Sequence, residues 1–138
     1  MSHIADAVQV EKISVLLVDD NLAFLRSASR FIETSDALQL VGQARGGEEA
    51  LALLDELKPD VVLLDQHMPG LSGLETAPRL RRQMPRLCII MLTFDASEAL
   101  RRAALDASVN AFIAKSAFDT QLIPAILNCA RVHFPSPQ

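Results

Sequence analysis

Five polar residues stand where apolar runs stop. Asp19 and Asp20 follow Ile13-Ser14-Val15-Leu16-Leu17-Val18, Asp65 follows Val61-Val62-Leu63-Leu64, Thr93 follows Cys88-Ile89-Ile90-Met91-Leu92, and Lys115 follows Ala111-Phe112-Ile113-Ala114. Singly, each has an ordinary explanation: Asp20 can cap a helix, Asp65 can end a strand, and Lys115 can be a solvated loop cation. Together they carry a chemistry. Three carboxylates within a few ångströms repel one another by several kcal/mol at an effective dielectric of about 20, and so require a cation or protonation. All-oxygen ligands with no histidine cluster nearby favour Mg²⁺, or Mn²⁺ as a substitute, over zinc. An aspartate can attack phosphorus and form an aspartyl phosphate when metal and cation neutralise the phosphoryl oxygens. Asp65, alone at the end of its run, is the candidate nucleophile.

These residues meet only if the intervening chain brings the ends of the runs to one edge. Asn21 to Glu33 carries Phe24, Ala28, Phe31 and Ile32 at helical spacing, with Asn21 as N-cap. Leu38 to Ala44 reads as a strand. Glu48 to Leu57 reads as a helix with Ala50, Leu51, Leu54 and Leu57 on one face, stopped by Lys58-Pro59. After Asp65, Met68-Pro69-Gly70-Leu71-Ser72-Gly73 has turn chemistry and leads into a helix over Leu74 to Gln83, with Pro78 near its first turns. Further helices are predicted over Ser97 to Leu105 and Asp119 to Val132. Five strands thus alternate with five helices. Apolar runs without polar alternation mark strands covered on both faces, so the fold class is α/β: a doubly wound, five-stranded parallel sheet. In such a sheet, ligands bind beyond the carboxyl ends of the strands, where all five residues fall.

With 138 residues, half of them apolar, the chain suits one domain with one core. The expected division is an N-terminal tail over 1–12, the folded unit over 13–132 and a tail or linker start over 133–138. A net charge of −4 with 13 scattered basic residues gives no face for duplex binding, so no direct nucleic-acid contact is expected. The N-terminus has neither a basic nor an apolar leader segment, and no apolar run reaches membrane-spanning length; a cytoplasmic location follows as the expectation. Cys88 and Cys129 lie in apolar stretches without metal-ligand spacing and read as two separate buried thiols.

Leu16-Leu17-Val18-Asp19-Asp20, Val62-Leu63-Leu64-Asp65-Gln66-His67-Met68-Pro69-Gly70, Met91-Leu92-Thr93 and Phe112-Ile113-Ala114-Lys115 resemble the four signatures of response regulator receiver domains, in order and at familiar separations. Val41-Gly42-Gln43-Ala44 with Gly47-Glu48-Glu49-Ala50-Leu51 is further similar to receivers that precede helix-turn-helix domains. The resemblance implies the flavodoxin-like (βα)5 receiver fold and a phosphorylation-activated switch of a two-component system. Asp65 would be the phosphoacceptor. Asp20 would bind magnesium directly and Asp19 through water, with the His67 backbone carbonyl as a further ligand. Thr93 would hydrogen-bond a phosphoryl oxygen, Lys115 would pair with another, and Phe112 would be the aromatic switch residue, repacking against the fourth helix. The implied donor is a histidine kinase or a histidine phosphotransfer protein, which in receivers contacts the first helix, where Leu22 is predicted to be exposed. The implied target is a downstream protein or an effector domain, and a homodimer is one assembly to consider. Catalysis would be confined to the domain's own phosphorylation and dephosphorylation.

Departures from the family pattern fall around the site. Ser108-Val109 stands where Gly-Ala is usual and Ala111 replaces a frequent glycine, so backbone strain is expected there. His67 is bulky, and Phe94 occupies a position usually held by a small residue. Two other uses of a similar fold fit poorly. A flavodoxin-like FMN carrier needs a Ser/Thr/Gly-rich phosphate cradle where this chain has Asp19-Asp20-Asn21. A haloacid-dehalogenase-like phosphatase carries its nucleophile on the first strand in an Asp-x-Asp arrangement. The remaining alternative is a receiver fold acting as a phosphorylation-independent interaction module.

Overall fold

Val, Ile and Leu crowd the central strands because helices cover both of their faces. In the computed structural model, which describes residues 11–133, the elements are β1 (Ile13–Val18), α1 (Leu22–Glu33), β2 (Leu38–Ala44), α2 (Gly47–Leu57), β3 (Val61–Asp65), α3 (Gly73–Gln83), β4 (Cys88–Thr93), α4 (Glu98–Asp106), β5 (Ala111–Ala114), a 3₁₀ turn (Lys115–Ala117) and α5 (Phe118–His133). All strand pairs are parallel, in the order β2-β1-β3-β4-β5. Every residue of β3 and β4 is buried, as unbroken apolar runs require. The tails expected over 1–12 and 133–138 lie mostly outside the described residues; of their described parts, Glu11 and Lys12 are exposed and His133 belongs to α5.

Alternation along the strands divides the core in two. Val15, Leu17, Leu63, Ile90 and Ile113 face α1 and α5, packing with Leu25, Ala28, Ile32, Leu122 and Ile126. Leu16, Val18, Val62, Leu64, Ile89 and Met91 face the opposite way, onto Ala50 and Leu54 of α2, Ala77 and Leu80 of α3 and Ala104 of α4. α4 is held by little: Ala104 is its one buried residue. The buried stripe of α1 is Leu25, Ala28, Ser29 and Ile32, turned from the predicted Phe24/Ala28/Phe31/Ile32 face. Phe24 and Phe31 are half-buried because both rings stand edge-on to Phe118 of α5, with centroids 5.3 and 5.6 Å from it.

Helix boundaries follow their caps. Asn21 caps α1 by accepting from the Phe24 N–H, Ser97 caps α4, and Ser72 with Glu75 closes a capping box at the start of α3. Pro78 lies inside α3 in its second turn, near the helix start as expected. The strain expected near the α4–β5 connection resides in Ser108, whose φ of 75° is left-handed, whereas Ala111 sits in regular β5. Arg81 braces that turn from α3, donating to the Ser108 carbonyl at 2.8 Å and Asn110 Oδ1 at 2.6 Å, and on its other side to the carbonyls of Leu87 and Pro85.

The reading of the cysteines as separate thiols is corrected by the fold. Cys88, the first residue of β4, and Cys129, on the buried stripe of α5, are joined in a disulfide with Cα atoms 6.2 Å apart. Neither position alone revealed the pairing, which arises where the α5 stripe crosses the start of β4.

Candidate functional site

Strand order reverses between β1 and β3, and the crevice beyond their carboxyl ends is where such sheets bind ligands. Val18 pairs with Leu64, so the next residues, Asp19 and Asp65, emerge side by side. Asp19 is fully buried. Its backbone N–H donates to the Ala44 carbonyl at 2.9 Å, and its Oδ1 accepts from the Asn21 N–H at 2.9 Å. These bonds fix the carboxylate by its backbone and by the start of α1.

Lys115, at the carboxyl end of β5, reaches across the edge. Its Nζ lies 2.6 Å from Asp19 Oδ2 and 3.2 Å from Asp65 Oδ1. Both side chains and that of Asp65 are buried, so these charges interact in a partly desolvated setting. Two rings flank the ammonium: Phe24 with its centroid at 4.4 Å and Phe94 at 4.7 Å. Neither contact was anticipated. Helical spacing alone places Phe24 in the core, and Phe94 is 72% exposed yet leans back over the site.

One oxygen each from Asp19, Asp20 and Asp65 lies within 4.8 Å of the other two. Three carboxylates thus face one ammonium, leaving two negative charges uncompensated when all are ionised. Asp19 Oδ2 meets Lys115 as an ion pair but accepts no well-formed hydrogen bond, so it keeps lone pairs directed into the cluster. Burial, followed by the charge of Asp19, raises the pKa of Asp65 from 3.8 to about 6; Lys115 opposes the shift and Asp20 adds to it. A buried all-oxygen cluster with excess negative charge fits a hard divalent cation.

The remaining predicted residues border this cluster. Thr93 is buried at the end of β4, one residue beyond Leu92, the partner of Asp65. Its Oγ1 accepts from the Asp95 N–H at 3.0 Å, which leaves the hydroxyl hydrogen to donate. His67 is exposed in the turn after β3, and its side chain takes no part in the acidic cluster. Phe112 is half-buried on β5 opposite Met91, against the core that α4 only loosely covers. Leu22 is 50% exposed, as predicted.

Gly73 was not singled out from the sequence, yet it is essential to the geometry. A Cβ there would lie 2.6 Å from the Asp65 carbonyl oxygen and 2.9 Å from Gln66 Cα. Only glycine lets α3 begin this close to the end of β3.

Fold and site together define a receiver module with an acidic pocket. Residues 15–127 match the response regulator receiver domain family, and the chain belongs to it. The response regulator GacA of Pseudomonas viridiflava is 38% identical over 127 residues, 91% of this chain and 59% of the relative. VraR of Staphylococcus aureus is 31% identical over 119 residues, 86% of this chain and 57% of the relative. The chain therefore spans somewhat over half the length of these curated relatives. Among solved structures, the receiver domain of the putative response regulator NarL from Mycobacterium tuberculosis superposes with a TM-score of 0.83 at 30% identity, covering 88% of this chain and 98% of that one. A LuxR-family response regulator from Aurantimonas gives 0.81 at 27%, over 86% and 84%. The chain is thus a signalling domain of two-component systems, similar in particular to receivers of the LuxR/NarL kind. Among the described residues no helix is long and apolar enough to cross a membrane.

Proposed function

We propose that residues 13–132 form a cytoplasmic phosphorylation switch in which Asp65 accepts a phosphoryl group from a phosphohistidine on a histidine kinase or phosphotransfer protein. The carrying observation is the Asp65 carboxylate held between Asp19, Asp20 and the Lys115 ammonium at the carboxyl edge of the sheet. A carboxylate oxygen of Asp65 attacks phosphorus, the P–N bond to the donor imidazole breaks, and the imidazole leaves with the electron pair and takes up a proton. Asp19, Asp20 and Asp65, with the His67 backbone carbonyl, would hold Mg²⁺, which supplies charge neutralisation for the phosphoryl oxygens. Lys115 exchanges its contact with Asp65 Oδ1 for one to a phosphoryl oxygen, and Thr93 donates its free hydroxyl hydrogen to another. Added charge of about −1.5 to −2 then draws Thr93 and Lys115 inward, and Phe112 repacks under α4. A helix with Ala104 as its one buried residue offers little resistance to that change. The altered α4–β5–α5 face is read by a downstream protein or an effector domain. The chain catalyses only its own phosphorylation and dephosphorylation.

Intact mass spectrometry after incubation with acetyl phosphate and Mg²⁺ tests this reading. One phosphoryl mass should be gained by the wild type, and none by Asp65→Asn or in the presence of EDTA. Labelling that persists in Asp65→Asn would remove Asp65 from the role, and an inert wild type would leave a phosphorylation-independent interaction module.

The Phe94 ring over Lys115 restricts entry to this site. Small donors and the water that hydrolyses the acyl phosphate must pass the same ring, so access and lifetime are coupled. Phe94→Ala should accelerate both labelling by acetyl phosphate and spontaneous dephosphorylation severalfold, equivalent to roughly 1 kcal/mol in each barrier. Unchanged rates with a lowered melting temperature would reduce Phe94 to packing.

A further inference from the structure

We propose that Cys88 and Cys129 are a reversible redox latch that fastens the C-terminal half of α5 to the sheet. These are the chain's only two cysteines. They meet at the opposite end of β4 from Thr93, away from the acidic cluster, so the latch does not depend on phosphoryl transfer. Their Cα separation of 6.2 Å lies within the range that a disulfide spans without backbone movement.

Both oxidation states suit the same core. Cys88 and Cys129 sit among Val61, Leu63, Ile90, Leu122 and Ile126, and a thiol behaves there as a small apolar group. A domain with this much buried apolar side chain does not need a covalent staple to fold. The bond is therefore free to report redox conditions.

The consequence of reduction falls on one segment. Phe118, Leu122, Ile126 and Cys129 form the buried stripe of α5, with Cys129 the last buried anchor among the described side chains. Pro124 lies inside the helix and has no N–H to give the Thr120 carbonyl, so the two halves of α5 are joined by one hydrogen bond fewer. Beyond Pro124, Leu127 and Asn128 are exposed, and among the described side chains the hold on the sheet passes through Ile126 and Cys129, with half-buried Ala125 beside them. Breaking the bond removes the covalent tie of that half and leaves, among the described side chains, Ala125, Ile126 and one small thiol against the sheet.

The exchange needs a low-molecular-weight thiol of the glutathione class. Its thiolate attacks one sulfur of the pair, and the other leaves as a thiolate that takes up a proton. A second small thiolate then attacks the small-molecule sulfur of the mixed disulfide and the protein cysteine leaves as a thiolate that takes up a proton, giving two protein thiols and one oxidised small-molecule disulfide. Oxidation is the reverse, with that disulfide accepting the two electrons.

The test equilibrates the folded protein with oxidised or reduced glutathione, followed by alkylation after denaturation, amide hydrogen exchange and thermal melting. Oxidised protein should be two hydrogens lighter and resist alkylation; reduced protein should accept two labels and remain folded. Reduction should lower the melting temperature by roughly 10 °C. It should also speed exchange at residues 125–129 at least about tenfold more than at 89–92, which open only with the whole domain. Cys88→Ala should match the reduced protein in both buffers. The proposal is overturned if no bond forms, if the bond in the folded protein resists millimolar thiol, if reduction unfolds the whole domain, or if exchange in α5 is indifferent to redox state.

Discussion

In metal-free buffer near neutral pH, Asp65→Asn should melt several degrees above the wild-type protein, although the substitution removes the phosphoacceptor. The reason lies in the three crowded carboxylates. Burial and the Asp19 charge raise the pKa of Asp65 from 3.8 to about 6, so keeping it ionised in the folded state costs free energy that the unfolded chain does not bear. The sign follows from proton binding. Below the unfolded value Asp65 is protonated in both states and carries no penalty; as pH rises from about 4 to about 6 the folded state binds the proton more tightly and loses stability relative to the unfolded chain; above that the penalty is complete. Discounted for solvent screening, it amounts to about 1–2 kcal/mol. Asparagine removes the charge while Lys115 keeps Asp19 at 2.6 Å, so the ammonium is not left unpaired.

The pH and metal dependence distinguish this effect from a general change in packing. The advantage of Asp65→Asn should vanish near about pH 4. Millimolar Mg²⁺ should also diminish it, since a cation bound only by the ionised cluster stabilises wild type by mass action. Thermal melts of both proteins at several pH values, with EDTA or Mg²⁺, check the expectation. A variant no more stable than wild type at neutral pH in EDTA would mean that the carboxylates are not in conflict.

That conflict was legible in the sequence because each charged residue directly follows an apolar run. Strands covered on both faces announce themselves as uninterrupted Val, Ile and Leu, and in a parallel sheet their carboxyl ends necessarily share an edge. Asp19, Asp65, Thr93 and Lys115 could therefore be placed together before any distance was known. The strain at Ser108 was foreseeable only through the family resemblance, because receivers usually carry glycine where this chain has Ser108.

Features that depend on how elements meet were not legible. Periodicity placed Phe24 in the core with Ala28 and Phe31, but the stripe of α1 shifts so that Leu25 is buried and Phe24 turns its face to Lys115. The Cys88–Cys129 bond depends on where α5 crosses β4, a relation between residues 41 apart that no local pattern encodes. Phe94 is different: the family resemblance already puts it at the mouth of the site, and what the sequence does not reveal is that its ring lies over the Lys115 ammonium.

Gly73 looked like one more turn residue, and its replacement should have a large effect. The start of α3 is tied to the end of β3 by two bonds to Gln66: the Gly73 N–H donates to its carbonyl at 3.0 Å and the Leu74 N–H to its Oε1 at 2.8 Å. The capping box of Ser72 and Glu75 fixes the helix in register just before that contact. α3 therefore cannot retreat without giving up its N-terminal hydrogen bonds. An alanine Cβ would lie 2.6 Å from the Asp65 carbonyl oxygen and 2.9 Å from Gln66 Cα, both backbone atoms with no rotamer to move aside. Gly73→Ala should cost about 1–3 kcal/mol, the usual price of overpacking. The displacement also falls on the Asp65–Gln66 peptide, so the phosphoacceptor moves away from the position in which Lys115 Nζ is 3.2 Å from its Oδ1. Labelling by acetyl phosphate should therefore slow at temperatures where the variant remains fully folded. Denaturant unfolding and the labelling rate, measured together, separate the two effects. Stability within about 0.5 kcal/mol of wild type and an undiminished rate would show that α3 can shift along the sheet at little cost, and that the close approach at Gly73 is not what holds Asp65 in place.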